Sequence, residues 1–116
     1  FSSHHKLNNL IAIVDRNGLC VMGYTENIIK LDPIESKWES FGWKTKKIDG
    51  HNINALLTAF NDIICCPTDG PTVIIAETIK GKGIRKIENS PLWHGVAPDI
   101  SQLEIFLREL EERYGK

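Results

Sequence analysis

Two short apolar runs constrain this chain more than any other feature of it. Residues 10–15 read LIAIVD and residues 71–78 read PTVIIAET. Neither run alternates polar and apolar positions, as a strand with one wet face would. Both suit strands buried on two sides, which is the habit of parallel sheets. Parallel strands cannot be joined by a hairpin; they need a crossover of a dozen residues or more, usually carrying a helix.

The chain between and after the runs supplies such helices. Following Pro33, the stretch IESKWESFGW puts Ile34, Trp38 and Phe41 on one helical face, with Gly42 as the stop. KTKKIDG at 44–50 then reads as a short, more exposed strand. NINALLTAFNDII repeats apolar residues at Ile53, Leu56, Leu57, Phe60 and Ile63 behind Asn52, a good N-cap. Beyond the second apolar run, DISQLEIFLRELEERYGK begins with Asp99 as cap, carries Leu103, Phe106, Leu107 and Leu110 on one face, and ends at Gly115. Strands alternating with helices predict the α/β class, with a parallel sheet and helices on both faces. Three strands make a thin sheet, and the first is too apolar for an exposed edge. Further strands are therefore expected upstream of Phe1, which is not a Met.

Composition narrows the function classes. At 116 residues the chain fits one small domain or part of one. Its 41% apolar and 25% charged residues are those of an ordinary globular protein, and no apolar stretch approaches membrane-spanning length. Lys and Arg number 14 against 15 Asp and Glu, so there is no excess positive charge to draw the chain to nucleic acid. Basic residues cluster locally, at Lys44, Lys46 and Lys47 and at Lys80, Lys82, Arg85 and Lys86; the first cluster reads as a solvated face. Cys20, Cys65 and Cys66 are odd in number and lack zinc spacing, which predicts reduced, structural thiols and a cytoplasmic setting. His4 and His5 read as structural, His51 as a turn and capping residue, and Trp38 and Trp43 as packing groups.

In open α/β sheets, ligands bind beyond the carboxyl ends of the strands. Two segments lie there. In VDRNGL, Asn17 offers an amide oxygen, Gly18 a turn, and Leu19 a backbone carbonyl that can face the same ion; hard cations such as Mg²⁺ take these ligands and share them with phosphates. An Asn-Gly after a strand is also an ordinary turn. In TIKGKGIRKIENSPLWHG, residues 78–95, Gly81 and Gly83 let the backbone pass close to a ligand, Lys80 is a point charge for phosphate, and His94 can donate a hydrogen bond to the same anion or to a substrate hydroxyl. The plain alternative is a basic surface loop with a packed Trp.

Taken together, SSHHKLNNLIAIVDRNGL, FGWKTKKIDGHNINALLTAF, PTVIIAETIKGKG and WHGVAP resemble, in order and spacing, the thiamine-diphosphate-binding domain of transketolases, particularly the amino-terminal subunit of bacterial split transketolases. The resemblance covers essentially the whole chain and implies that 1–116 is the C-terminal portion of that domain. It implies thiamine diphosphate and Mg²⁺ as cofactors. It places Asn17 and Leu19 on the metal, Gly18 in the cofactor turn, and Lys80 and His94 at the cofactor diphosphate, with His94 also reaching the substrate as a catalytic group. The implied reaction moves a two-carbon ketol unit from a ketose phosphate to an aldose phosphate. The implied partner is a pyrimidine-binding domain or a carboxy-terminal transketolase subunit, in a homodimer or a heterotetramer of split subunits.

The resemblance departs from the family at two points. The Gly-Asp-Gly that opens the diphosphate motif is not in the chain and is expected upstream of Phe1, and the Glu that activates the thiamine ring belongs to the pyrimidine-binding domain. Two rival readings follow: a non-catalytic α/β assembly module, and a component of another thiamine-dependent synthase or dehydrogenase. The KGKG…WHG segment favours transketolase.

Overall fold

Both apolar runs form strands, and they lie side by side. The structure, a computed structural model, describes residues 1–115; Lys116, the last residue of the expected 1–116 span, lies outside the described residues. The chain divides into two compact units, one of Phe1–Arg16 with Leu31–Thr78 and one of Asn17–Lys30 with Ile79–Lys116.

The first unit holds a parallel sheet of β1 (Ile11–Arg16), β4 (Lys44–Asp49) and β5 (Thr72–Glu77) in the order β1-β5-β4. Ile11 stands opposite Thr72 on one side of β5, and Lys44 opposite Thr72 on the other. The second apolar run therefore takes the central place. Val73, Ile74 and Ile75 are wholly buried, each worth about 1.5–3 kcal/mol against exposure. Helix α3 (Ile53–Cys65) packs Ala59 and Ile63 against Ile74, with Ile11, Ile48 and Phe60 around them. Its cap is Asn52, whose side-chain oxygen accepts the Ala55 N–H at 3.1 Å. His51 lies in the turn before it, its N–H donating to Asp49 Oδ1 at 2.9 Å.

The first apolar run lies at a sheet edge among the described residues, and Ile13 is 56% exposed. One expectation fails in this unit. Phe41 is not part of a buried helical face. Helix α2 (Ile34–Ser40) ends one residue before it, so Phe41 becomes the C-cap and is 75% exposed. Ile34 and Trp38, one turn apart, do share a face, and Trp38 meets Trp43 edge to face at 4.8 Å. Gly42 at φ 78° ends the helix as expected. The lysine cluster of β4 forms a solvated face, as expected, with surface ion pairs from two of its members: Lys46 reaches Asp62 at 2.7 Å and Lys47 reaches Glu77 at 2.8 Å. The hydrogen bond to Glu77 and its charge hold the Lys47 ammonium above its ordinary pKa.

The second unit contains a two-residue antiparallel pair, β2 (Leu19–Cys20) with β3 (Gly23–Tyr24), then α1 (Thr25–Ile28), a single 3₁₀ turn at Pro91–Trp93, and α4 (Ile100–Tyr114). Helix α4 starts on a full capping box: Asp99 accepts the Gln102 N–H at 2.8 Å while the Gln102 side chain accepts the Asp99 N–H at 3.0 Å. Of its apolar stripe only Phe106 is fully buried, while Leu103 and Leu107 stay exposed. The three cysteines are free thiols, but Cys65 and Cys66 are exposed and so do not fill the structural role expected of them. No helix among the described residues is long and apolar enough to cross a membrane.

Candidate functional site

All five candidate residues, Asn17, Gly18, Leu19, Lys80 and His94, fall in the second unit. They lie on two segments that differ in how they are built.

The first segment is a tight corner. Asn17 Oδ1 accepts the Leu19 N–H at 2.9 Å, an Asx turn that fixes the side chain against its own backbone. Between them Gly18 takes φ 72°, a left-handed conformation that costs a residue with a Cβ about 1–2 kcal/mol. The Gly18 carbonyl is occupied, accepting the Thr25 N–H at 3.0 Å and the Thr25 hydroxyl at 3.3 Å. That bond makes Gly18 and Thr25 a hydrogen-bonded pair, so the next pair, Leu19 opposite Tyr24, is the non-bonded kind. The Leu19 carbonyl therefore points away from β3.

This corner fits a hard cation as far as its own donors go. An amide oxygen has two lone pairs and the Asx turn uses one, so Asn17 Oδ1 retains an acceptor site. With the Leu19 carbonyl it makes two neutral oxygen donors, the kind Mg²⁺ binds, and Mg²⁺ ordinarily completes its octahedron with phosphate and water. A cluster of three or more His, Cys, Asp or Glu that could hold a metal is absent among the described residues. A Cβ built on Gly18 would meet nothing within 4 Å, so the corner borders open space.

The second segment is a run of turns closed on itself. The Lys82 N–H donates to the Ile79 carbonyl at 3.1 Å, Ile84 to Gly81 at 3.3 Å, Ile87 to Ile84 at 3.0 Å, and Asn89 back to Lys80 at 3.0 Å. Glu88 then secures it: one carboxylate oxygen accepts the Gly83 N–H at 3.0 Å and the Arg113 guanidinium of α4 at 2.8 Å. These bonds, the backbone one first, hold the Glu88 carboxyl below the usual range, and the Arg113 guanidinium is raised in turn. Arg85 is also tied to α4, its N–H donating to Glu109 Oε1 at 3.1 Å and its Nε lying 3.5 Å from the same oxygen. Trp93 stacks edge to face on Phe106 at 5.5 Å, which anchors the far end.

At Gly81 and Gly83 the chain itself takes the space on the side where a Cβ would lie. A Cβ on Gly81 would lie 2.8 Å from the Ile87 carbonyl oxygen, and one on Gly83 would lie 3.0 Å from Leu110 Cδ2. Both are needed for the segment to close. Within it, Lys80 keeps an ammonium with no ion-pair partner among the described residues, in contrast to Arg85. Lys80 borders a cavity of about 240 Å³ that also meets Ile87, Trp93, Phe106 and Leu110. Those walls are apolar and unsuited to a diphosphate, so any anion at Lys80 would lie on its solvent side. His94 follows the 3₁₀ turn, is exposed, and carries its ring next to Gly95, around which there is again open space.

Sequence reasoning missed the β2–β3 pair and α1, which together set the direction of the Leu19 carbonyl. The signal available was the Gly18 and Gly23 bracket around four residues, a spacing that permits a hairpin.

The sequence matches the family described as "Transketolase, thiamine diphosphate binding domain" over residues 1–115. It is 38% identical over 111 residues to one subunit of the apulose-4-phosphate transketolase of Actinobacillus succinogenes, covering 96% of this chain and 40% of that one. It is 34% identical over 110 residues to human transketolase, covering 95% of this chain and 17% of that protein. Among solved structures, the transketolase of Campylobacter jejuni superposes with a TM-score of 0.83 at 26% identity, over 98% of this chain and 17% of that one. A Pichia stipitis transketolase in complex with sedoheptulose-7-phosphate gives 0.82 at 26%, over 98% and 16%. The chain thus spans about 40% of the length of the apulose-4-phosphate transketolase subunits that it matches.

Proposed function

Since the chain belongs to the transketolase thiamine-diphosphate-binding family, we propose that it forms the C-terminal portion of such a domain and supplies part of a Mg²⁺-diphosphate site to an enzyme that transfers a two-carbon ketol unit between sugar phosphates. The observation that carries this reading is the Asn17–Leu19 corner, in which an Asx turn and a non-bonded strand pair leave two hard oxygens available beside open space. Relatives named for apulose-4-phosphate and 6-deoxy-6-sulfo-D-fructose, and a neighbour bound to sedoheptulose-7-phosphate, support a phosphorylated or similarly anionic sugar as substrate.

Each residue then has a task that follows from its chemistry. Asn17 Oδ1 and the Leu19 carbonyl hold Mg²⁺ without adding negative charge beside a diphosphate. Gly18 lets the turn form. The Lys80 ammonium neutralises diphosphate charge from the solvent side of its segment, and the His94 imidazole donates to the same anion or to a substrate hydroxyl. Thiamine diphosphate, when bound, supplies the carbanion and the electron sink for carbon–carbon bond cleavage. The remaining donors come from outside this chain: the Gly-Asp-Gly of the family's motif and a pyrimidine-binding partner. That partner is either a second polypeptide, as relatives named as one lettered component of a transketolase suggest, or a domain of the same polypeptide. A homodimer or heterotetramer in the cytoplasm is the assembly that this reading predicts.

Titration calorimetry on the full-length parent protein tests the reading. Thiamine diphosphate should bind only with Mg²⁺ present, and Asn17→Ala should weaken that binding while the fold survives. Unchanged cofactor affinity in Asn17→Ala would remove Asn17 from the site; no cofactor binding by the parent with its partner present would leave the assembly-module reading in its place.

A further inference from the structure

Both candidate segments leave the parallel sheet at one place. β1 ends at Arg16 and β5 at Glu77, and these two residues stand opposite each other in the ladder. The last backbone bond there runs from the Thr78 N–H to the Arg16 carbonyl at 3.3 Å. Asn17 follows Asp15 by two residues, and Lys80 follows Thr78 by two.

Side chains reinforce this point from both flanks. Asp15 stands opposite Ala76, so Thr78 is its diagonal neighbour on the same face, and the Thr78 hydroxyl donates to Asp15 Oδ1. On the other flank, Gly50 closes β4 with its N–H on the Glu77 carbonyl at 2.8 Å. A Cβ at Gly50 would lie 2.6 Å from the Thr78 methyl, 3.0 Å from Ala76 Cβ and 3.1 Å from the Glu77 carbonyl oxygen. Thr78 is thus held by its hydroxyl toward β1 and by its methyl toward β4. Both functional groups of one small side chain are spent on fixing where it sits.

From this geometry we infer that Asp15 and Thr78, with Gly50 making the room, are positioning residues that set the take-off points of the Asn17–Leu19 corner and the Lys80 segment. The inference rests on the cofactor reading above for its functional consequence, but the clamp itself is a property of the sheet. The role inferred for them needs no contact with the cofactor. Their effect passes through the peptide bonds that lead to Asn17 and Lys80, in the way that outer-shell partners of a metal site orient the ligands themselves, where losing one commonly costs 10–100-fold in affinity.

The test uses the full-length parent with its partner, as Thr78→Val, Thr78→Ser and Asp15→Ala. Val keeps the methyl contact with Gly50 and removes only the hydroxyl. It should weaken Mg²⁺-dependent thiamine diphosphate binding about tenfold, with the melting temperature of the cofactor-free protein little changed, and Ser should restore affinity. Asp15→Ala should match Thr78→Val, and the double variant should be no worse than either single one, because both break the same bond. Wild-type affinity in Thr78→Val and Asp15→Ala would overturn the inference. Should the wild-type protein bind no cofactor, the cofactor reading fails on its own account, and amide exchange in the unliganded protein still decides: the clamp requires faster exchange at the Leu19 and Lys82 N–H groups in Thr78→Val, and unchanged protection there refutes it. Should Thr78→Val not fold, Asp15→Ala carries both measurements.

Discussion

Gly18 and Gly81 share a φ of 72° and have opposite surroundings. Nothing lies within 4 Å of the space above Gly18, while the space above Gly81 holds the Ile87 carbonyl and side chain. Glycine at a left-handed position is demanded by the backbone in both. At Gly81 it is demanded a second time, by packing. The difference separates a turn whose Cβ side borders open space from one whose Cβ side is filled by the chain itself. It also changes what the 78–95 segment is. It is a closed set of turns fastened to α4 by Glu88–Arg113 and Arg85–Glu109, with the Lys80 carbonyl and the Glu88 carboxylate engaged inside it.

The largest effect expected from this contrast is on stability at Gly81. Gly81→Ala must bear a left-handed Ala, about 1–2 kcal/mol, together with overpacking against a carbonyl that the chain cannot easily move, about 1–3 kcal/mol. Chemical denaturation of the parent protein should show a loss on the order of 3 kcal/mol. Gly83→Ala should cost less through overpacking, because the nearest atom there is the end of the Leu110 side chain, which can rotate aside, although the Gly83 φ of 112° also strains an alanine. If Gly81→Ala melts like the wild type, the closed arrangement of residues 79–89 is not the one the protein adopts.

Next in size is Gly18→Ala. Its clash term is zero, so the stability loss should stay near the conformational cost alone, about 1–2 kcal/mol. Cofactor affinity should fall as well, since the Asx turn that aims Asn17 depends on the Gly18 conformation. A stability loss as large as that of Gly81→Ala would mean that the open space at the corner is filled in the assembled protein.

How far these segments can be read from the sequence follows from the range of the interactions that build them. The strands at 11–16, 44–49 and 72–77 and the helices from Ile34, Ile53 and Ile100 are legible, because period and cap are local: Asn52 and Asp99 meet partners three residues away. The place of β1 in the sheet is not legible. An apolar run reports what the strand wants covered, not which neighbour covers it. Phe41 is misread because a period of 3.6 says nothing about where a helix stops. The roles of Gly81 and Gly83 depend on Ile87, Leu110 and Tyr114, and no spacing rule connects a glycine to a residue 27 positions on, as Gly83 is to Leu110. Asn17, Gly18 and Leu19 are the more legible half of the candidate site, since their geometry is made within one turn and the hairpin that follows it.

A smaller effect concerns acid. The Glu88 carboxyl is held below its ordinary value of 4.5, first by the Gly83 N–H and then by Arg113. A carboxyl depressed on folding stabilises the protein above its unfolded pKa, and that contribution is lost as pH falls through the folded pKa. The 79–89 turns should therefore loosen below about pH 4.5, and amide exchange at Gly83, followed as pH is lowered, reads this directly. Glu88→Gln should loosen the turns at neutral pH and flatten their response to acid. An unchanged acid response in that variant would show that another group fastens the segment.

The smallest stability effect should come from Lys80, and its smallness is informative. Its ammonium has no ion-pair partner among the described residues, and the residue borders a cavity that is already open. Removing the charge therefore strands no buried group, and Lys80→Ala should leave the denaturation midpoint within about 0.5 kcal/mol of wild type, as for surface substitutions away from special contacts. The same change should weaken binding of thiamine diphosphate and of inorganic pyrophosphate, and should reduce the salt sensitivity of that binding, because one screened charge pair has gone. The two halves of this prediction separate the two uses of the segment. A midpoint that drops as far as in Gly81→Ala, with anion affinity intact, would make Lys80 a packing residue over the Trp93–Phe106 contact. The segment would then be scaffold throughout, and the candidate site would reduce to the open corner at Asn17 and the exposed ring of His94.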